Sequence, residues 1–315
     1  MNLKNLLIKS FYIIFFILTS NTTIGGNSSY ILLKINNEII TNIDVEQEKK
    51  YLLAINEGLL SLSDKQIFDV AKASLIREKI KINELKKYYD LDLENKYINQ
   101  LIKDFYTKLN FENLEELKKY FLSKGIELND VKKKLNIEAT WNELIFDKYN
   151  DKIDINEKKL KEKIKNNNFK NKNEKELILI SEIIFSVINK SEIETIHKKI
   201  LKSISDIGFD NTANIFSIGE SAKFGGKIGW IETSRLSKLV YDNIKNLTIG
   251  AHSDLITVPG GFLILKVNEK KKEKIELDPA KELEQLIIYE KNKQFNQFSS
   301  IYFQRVKINT LINED

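Results

Sequence analysis

With 315 residues, 42% of them hydrophobic and 30% charged, the chain has apolar material for two domains of ordinary size and too much of it for a disordered polymer. The absence of cysteine excludes disulfides, thiolate metal sites, thiol nucleophiles and lipid attachment through an N-terminal cysteine, while His197 and His252 lie too far apart in sequence for metal-site spacing. The formal net charge of +5 comes from interleaved lysines and glutamates that read as solvated helix faces, which argues against a nucleic-acid partner.

In chain order, Lys4 and Lys9 precede an apolar run from Phe11 to Leu18, and a polar stretch follows. The run is too short to span a bilayer, so residues 1–25 are predicted to be a secretory signal peptide. Residues 30–45 predict a short strand, an Asn36-Asn37 turn and a second strand running into a helix. From there to about residue 168 the apolar spacing is helical, with almost no Gly or Pro. Ser63 and Gln66 form a capping-box pattern ahead of Phe68, Ala71 and Leu75, Asn113 and Glu116 repeat the logic, and Gly125 is placed to stop that helix. Asp154 and Glu157 are predicted to start a further helix, giving five or six in all.

The period changes at Leu177–Val187, a β-branched run that predicts a buried strand. A helix over 191–205, a glycine-rich turn, a short helix over 238–244 and two closing strands follow, the last at Gly261–Val267 after a Val258-Pro259-Gly260 turn. Asp278 and Pro279 predict an N-cap and first turn for a helix to about Phe303, and residues 306–311 predict a final strand.

The most specific stretch is Gly225-Gly226-Lys227-Ile228-Gly229-Trp230, whose glycine spacing fits neither a dinucleotide fingerprint nor a P-loop. Lying between the Leu177 strand and the Gly261-Phe262-Leu263-Ile264-Leu265 strand, it resembles the parvulin family of peptidyl-prolyl isomerases. Those domains carry a Gly-Gly-Asp-Leu-Gly-Trp segment and end in a Gly-x-His-Ile-Ile-type strand. Upstream, Lys34–Val45 and Phe68–Leu91, with Leu75-Ile76-Arg77-Glu78-Lys79, resemble the opening helical stretches of SurA-type chaperones.

The resemblance implies an α+β architecture: a mostly helical SurA-like module (28–172) completed by a C-terminal helix and strand (271–315), plus one small parvulin-like β-α-β domain (173–270). It also implies a periplasmic chaperone, with unfolded outer-membrane protein precursors and proline-containing peptides as partners. Peripheral contact with the outer-membrane assembly machinery is expected on the same ground. No cofactor or metal is expected, and the chain is expected to be a monomer.

The family's isomerase residues can be carried over position by position. Glu182 stands where the first strand presents a histidine, and Leu263 where the last strand presents another. The Cys or Asp that faces the twisted amide falls within Phe216–Glu220, at Ile218 or Gly219, and Glu220 is the carboxylate in that segment. In the proline cup, Leu236 matches a usual Met or Leu, and Val240 replaces Phe. Without the histidine ring, weak or lost isomerase activity is expected, the rival being an active foldase. A second site is expected in the helical part, where Tyr51, Phe105, Tyr106, Phe111, Tyr120 and Phe121 would hold unfolded segments by apolar contact without ATP.

Overall fold

The computed structural model describes residues 29–170, 174–187, 189–274 and 279–314; the predicted signal peptide and the Asp278 N-cap lie outside them. The chain opens with a hairpin, β1 (Ile31–Ile35) and β2 (Glu38–Thr41), whose turn places Asn36 at φ 49°, a conformation asparagine tolerates. The Thr41 side chain caps α1 (Asn42–Ile55), with Asp44 returning the bond to the Thr41 amide.

Ser63 and Gln66 form the expected reciprocal cap on α2 (Asp64–Leu85). Then come α3 (Ile98–Lys108), α4 (Leu114–Ser123), α5 (Leu128–Tyr149) and α6 (Glu157–Lys170). Asn113 caps α4 as predicted, and Gly125 stops it in the left-handed region at φ 70°. The cap of α6 is Asn156, whose Oδ1 accepts from the Lys159 amide, and not Asp154, whose own amide donates to Gln294.

The second part begins with β3 (Glu174–Phe185), followed by α7 (Ile193–Ile207), α8 (Phe209–Phe216), β4 (Lys227–Glu232), α9 (Lys238–Ile244), β5 (Ile256–Val258) and β6 (Gly261–Lys274). Its antiparallel sheet runs β4-β3-β6-β5. Helix α8 was not predicted, because Asp210-Asn211-Thr212-Ala213-Asn214 has poor helix propensity. It is helical because Phe209 and Ala213 bury against Ile183, Phe185 and Ile264 of the sheet, and its buried polar side chains are satisfied on carbonyls four residues back: Asn211 on Ile207, Thr212 on Gly208 and Asn214 on Asp210.

Helix α10 extends from Pro279 to Ile308, past the expected Phe303, so the final strand β7 is Ile312–Glu314 and not 306–311. Lys307 and Ile308 belong to the helix because the chain turns only at Asn309 and Thr310, whose amides bond the Val306 and Lys307 carbonyls. Strand β7 pairs with β1 to complete a three-stranded sheet, β2-β1-β7, so the C-terminal end closes onto the opening hairpin. Leu33, Ile35 and Ile40 of that sheet share one apolar core with α1–α5 and with Tyr302 and Phe303 of α10. Trp141 of α5 is fully buried there; its indole N–H donates to Ser299 Oγ at 2.9 Å, and its ring lies 5.7 Å from Tyr302 and 6.1 Å from Phe303.

Candidate functional site

The register of β3 against β6 sorts side chains onto two faces, because residues directly opposite in an antiparallel pair point the same way. Ile183, Phe185 and Ile264 face α7 and α8, packing with Ile200, Phe209 and Ala213. Ile178, Ile180, Leu263, Leu265 and Val267 face the other side, where Leu236 and Val240 cover them. Glu182 is opposite Leu265 and Ile184 opposite Leu263, so Glu182 belongs to this second face. The structure therefore gathers all four positions, Glu182, Leu236, Val240 and Leu263, on one side of the sheet. Leu236 also lines a cleft of about 990 Å³ walled by residues of α6, α9 and α10, with charges of both signs around it, including Lys175, Glu232, Arg235, Glu282 and Lys293.

The glycine-rich turn positions this face. Gly226 sits at φ 75°, its carbonyl accepts from the Glu182 amide at 2.8 Å, and a Cβ there would overlap the Glu182 carbonyl oxygen. Gly226→Ala is expected to cost roughly 2 kcal/mol or more by combining a left-handed backbone with a backbone collision. Urea denaturation would show this as a lower midpoint, whereas Gly229→Ala, which meets no atom within 4 Å, should lose only the backbone part.

Glu182 accepts a hydrogen bond from Ser221 Oγ at 2.9 Å. Burial pushes its carboxyl up to about 7, with the Ser221 bond offsetting part of the rise. Glu220 is not beside Glu182, Leu236, Val240 and Leu263. It lines a small cavity with Glu48, Arg77, Lys81, Lys134, Glu138 and Lys223, where the sheet part meets α1, α2 and α5. Its side chain is turned away because Ile218 and Phe224, which flank it, pack against the helical core. Burial raises the Glu220 carboxyl, partly opposed by Lys81. In the same joint Lys134 bonds Glu48 and Glu78, each at 2.6 Å, Lys81 bonds Glu138 at 2.6 Å, and Arg77 donates to the Asn214 carbonyl at 3.2 Å. Burial works against the Glu138 carboxylate, but Lys81 and Lys223 outweigh it and hold Glu138 at about 2.

The six helical aromatics do not form an open cleft. Tyr51, Phe105 and Phe121 are buried, and Tyr106, Phe111 and Tyr120 are half-buried against the same core. Tyr51–Phe121 and Phe105–Phe121 stack at 6.3 Å, Phe111 and Tyr120 meet in a tilted pair at 5.1 Å, and the Tyr120 hydroxyl donates to the Ala54 carbonyl. Aromatic identity could not separate core from surface, and the large apolar side chains that remain exposed in the helical part are others, including Ile43, Leu122 and Phe146 on helices and Leu60, Tyr88, Leu93 and Tyr97 in the connections. Of the histidines, His197 lies on α7, while His252 forms an isolated β-bridge to Lys266 and its Nδ1 contacts the Ser253 carbonyl. Neither is one of the cup positions. Among the described residues no group of three or more His, Asp and Glu is placed to hold a metal.

Residues 177–269 match the family described as Rotamase, PPIC-type PPIase domain. The chain is similar to the chaperone SurA of Chromobacterium violaceum, 20% identical over 243 residues, and to the chaperone SurA of Pseudomonas aeruginosa, 38% identical over 55 residues. The matches cover 74% and 18% of this chain, and only 56% and 13% of those relatives' own lengths. Among solved structures, a SurA-like chaperone of Campylobacter jejuni is 16% identical, covering 90% of this chain and 98% of that one at a TM-score of 0.35.

Proposed function

From one PPIC-type domain in a chain related to SurA-type chaperones, we propose that the protein is an exported holding chaperone for unfolded polypeptides, with outer-membrane β-barrel precursors as its clients. Weak prolyl isomerase activity accompanies the holding. The observation that carries this reading is that Leu236 lines a large cleft and packs with Val240 against the cluster that holds Leu263, while neither histidine position holds an imidazole. An apolar floor captures a proline-containing segment by removing its surface from water, which needs neither ATP nor directional bonding. Charges around the cleft keep an occupied complex hydrated.

Export is supported by the basic and apolar start of the sequence. No helix among the described residues is long and apolar enough to cross a membrane. Two assays on one preparation test the proposal: suppression of client aggregation without nucleotide, and cis-to-trans relaxation of a short proline peptide. Strong suppression with slow relaxation is expected. Fast relaxation with no suppression would replace the reading by an active foldase.

A further inference from the structure

Gly219 leaves an empty place in the loop, and a strand residue fills it. The resemblance puts the group that faces the twisted amide at Ile218 or Gly219. Ile218 is committed to the helical core, its amide bonded to the Ile184 carbonyl at 2.8 Å, and Gly219 has no side chain. A Cβ at Gly219 would lie 3.3 Å from Glu182 Oε1, 3.4 Å from Ser221 Oγ and 3.5 Å from Ser217 Oγ. Three side-chain oxygens thus converge where the loop's own polar group would project. Ser217 Oγ is fixed there by accepting from the Ile184 and Gly219 amides. Glu182 Oε1 is occupied by Ser221, while Oε2 has no hydrogen-bond partner among the described residues, and the side chain is half-buried.

We infer that Glu182, oriented by Ser221, is the catalytic donor of a residual prolyl isomerase activity, its carboxyl taking the place of the missing loop residue. This rests on the cup being a proline-docking site, as proposed above. As the prolyl bond twists it loses double-bond character, and the nitrogen lone pair becomes available to accept a hydrogen bond. A neutral carboxyl aimed there stabilises the twisted state more than the planar one. The proton is shared and stays with Glu182, so no bond to the substrate forms or breaks. An ionised carboxylate has no proton to donate and would repel the lone pair.

The groups around Glu182 make this pH-dependent in a defined direction. Its bonded neighbour is Ser221, and an ionisable side chain its charge acts on is Tyr289 of α10, with Arg235 beside that ring. Glu220, Lys81, Lys223 and Glu138 are engaged in the joint with the helices. The competent form is the protonated one, so activity is full below the Glu182 pKa and lost as pH rises through it.

The test is relaxation of a short X-Pro peptide by the full chain from about pH 5.5 to about pH 9. The expected rate is level in acid and falls above about pH 7, approaching tenfold per pH unit. Glu182→Gln, which keeps a neutral donor of similar shape, should retain activity and lose the pH dependence. Ser221→Ala removes a bond that favours the ionised form, so the falling limb should move to higher pH. Glu182→Ala should fall to the uncatalysed rate, with the Gln variant controlling for folding. A level profile in the unmodified chain, full activity in Glu182→Ala, or no catalysis at any pH would overturn the assignment. None of these would touch the holding reading, which falls only if aggregation suppression is absent.

Discussion

Replacing Trp141 by alanine is expected to destabilise the protein by about 3–5 kcal/mol, the cost of emptying a fully buried aromatic site that cannot collapse. The indole is the point where α5 grips α10, through the N–H bond to Ser299 and the rings of Tyr302 and Phe303. Losing it also leaves Ser299 Oγ without its donor, and further ring contacts, worth about 0.5–1.5 kcal/mol per pair, disappear. Trp141→Phe should recover most of the packing and fail to recover the hydrogen bond, leaving a deficit of about 1 kcal/mol. Urea denaturation of the three proteins measures the order. An alanine variant as stable as the parent would mean that α10 is held elsewhere.

Lys134→Ala should cost a comparable amount, about 3–5 kcal/mol, for a different reason. Its ammonium is shared by Glu48, almost completely buried, and Glu78. Burial alone would lower the Lys134 pKa, yet the two carboxylates outweigh it and hold the pKa above the usual lysine value. Removing the cation strands two negative charges next to Glu138 and Glu220, in the joint between the sheet part and the helices. Because the folded pKa is raised, the stabilisation is complete below the unfolded lysine value and lost only as pH rises through the folded one. The deficit should therefore be constant across neutral pH. A triple variant, Glu48→Leu with Glu78→Leu and Lys134→Met, should regain much of it, since what is costly is an unpaired buried charge and not the absence of the pair. Equal losses in the single and triple variants would show that the cost lies in packing instead.

Much of this fold is legible in the residues because local chemistry and tertiary packing agree. Ser63 with Gln66, Asn113, Gly125 and the β-branched run at Leu177 each satisfy a backbone requirement wherever the chain is placed. Where the reading failed, the deciding interactions were not local. The weak helix former 210–214 is held helical by distant partners, Phe209 and Ala213 being buried against Ile183, Phe185 and Ile264 of the sheet. Tyr51, Phe105 and Phe121 carry the same chemistry whether they line a cleft or fill a core, and only the packing of α1, α3 and α4 decides for the core.

The cup shows the same division. Strand alternation places Glu182 and Leu263 on definable faces of the sheet, and the register brings them to the same one. The direction of Glu220 depends on Ile218 and Phe224 finding the helical core, which no spacing along the loop encodes. The carboxyl beside Gly219 likewise comes from a residue distant in sequence, and it becomes visible only when the turn at Gly226 locks onto β3.

The most direct measurement of the holding reading is light scattering after a chemically unfolded outer-membrane β-barrel protein is diluted into the full chain without nucleotide. The account predicts that near-stoichiometric chain suppresses aggregation, and that Glu182→Ala suppresses it as well as the parent does, because the proposed capture is by apolar contact and not by the Glu182 carboxyl. Aggregation as fast with the chain as without it would contradict the account.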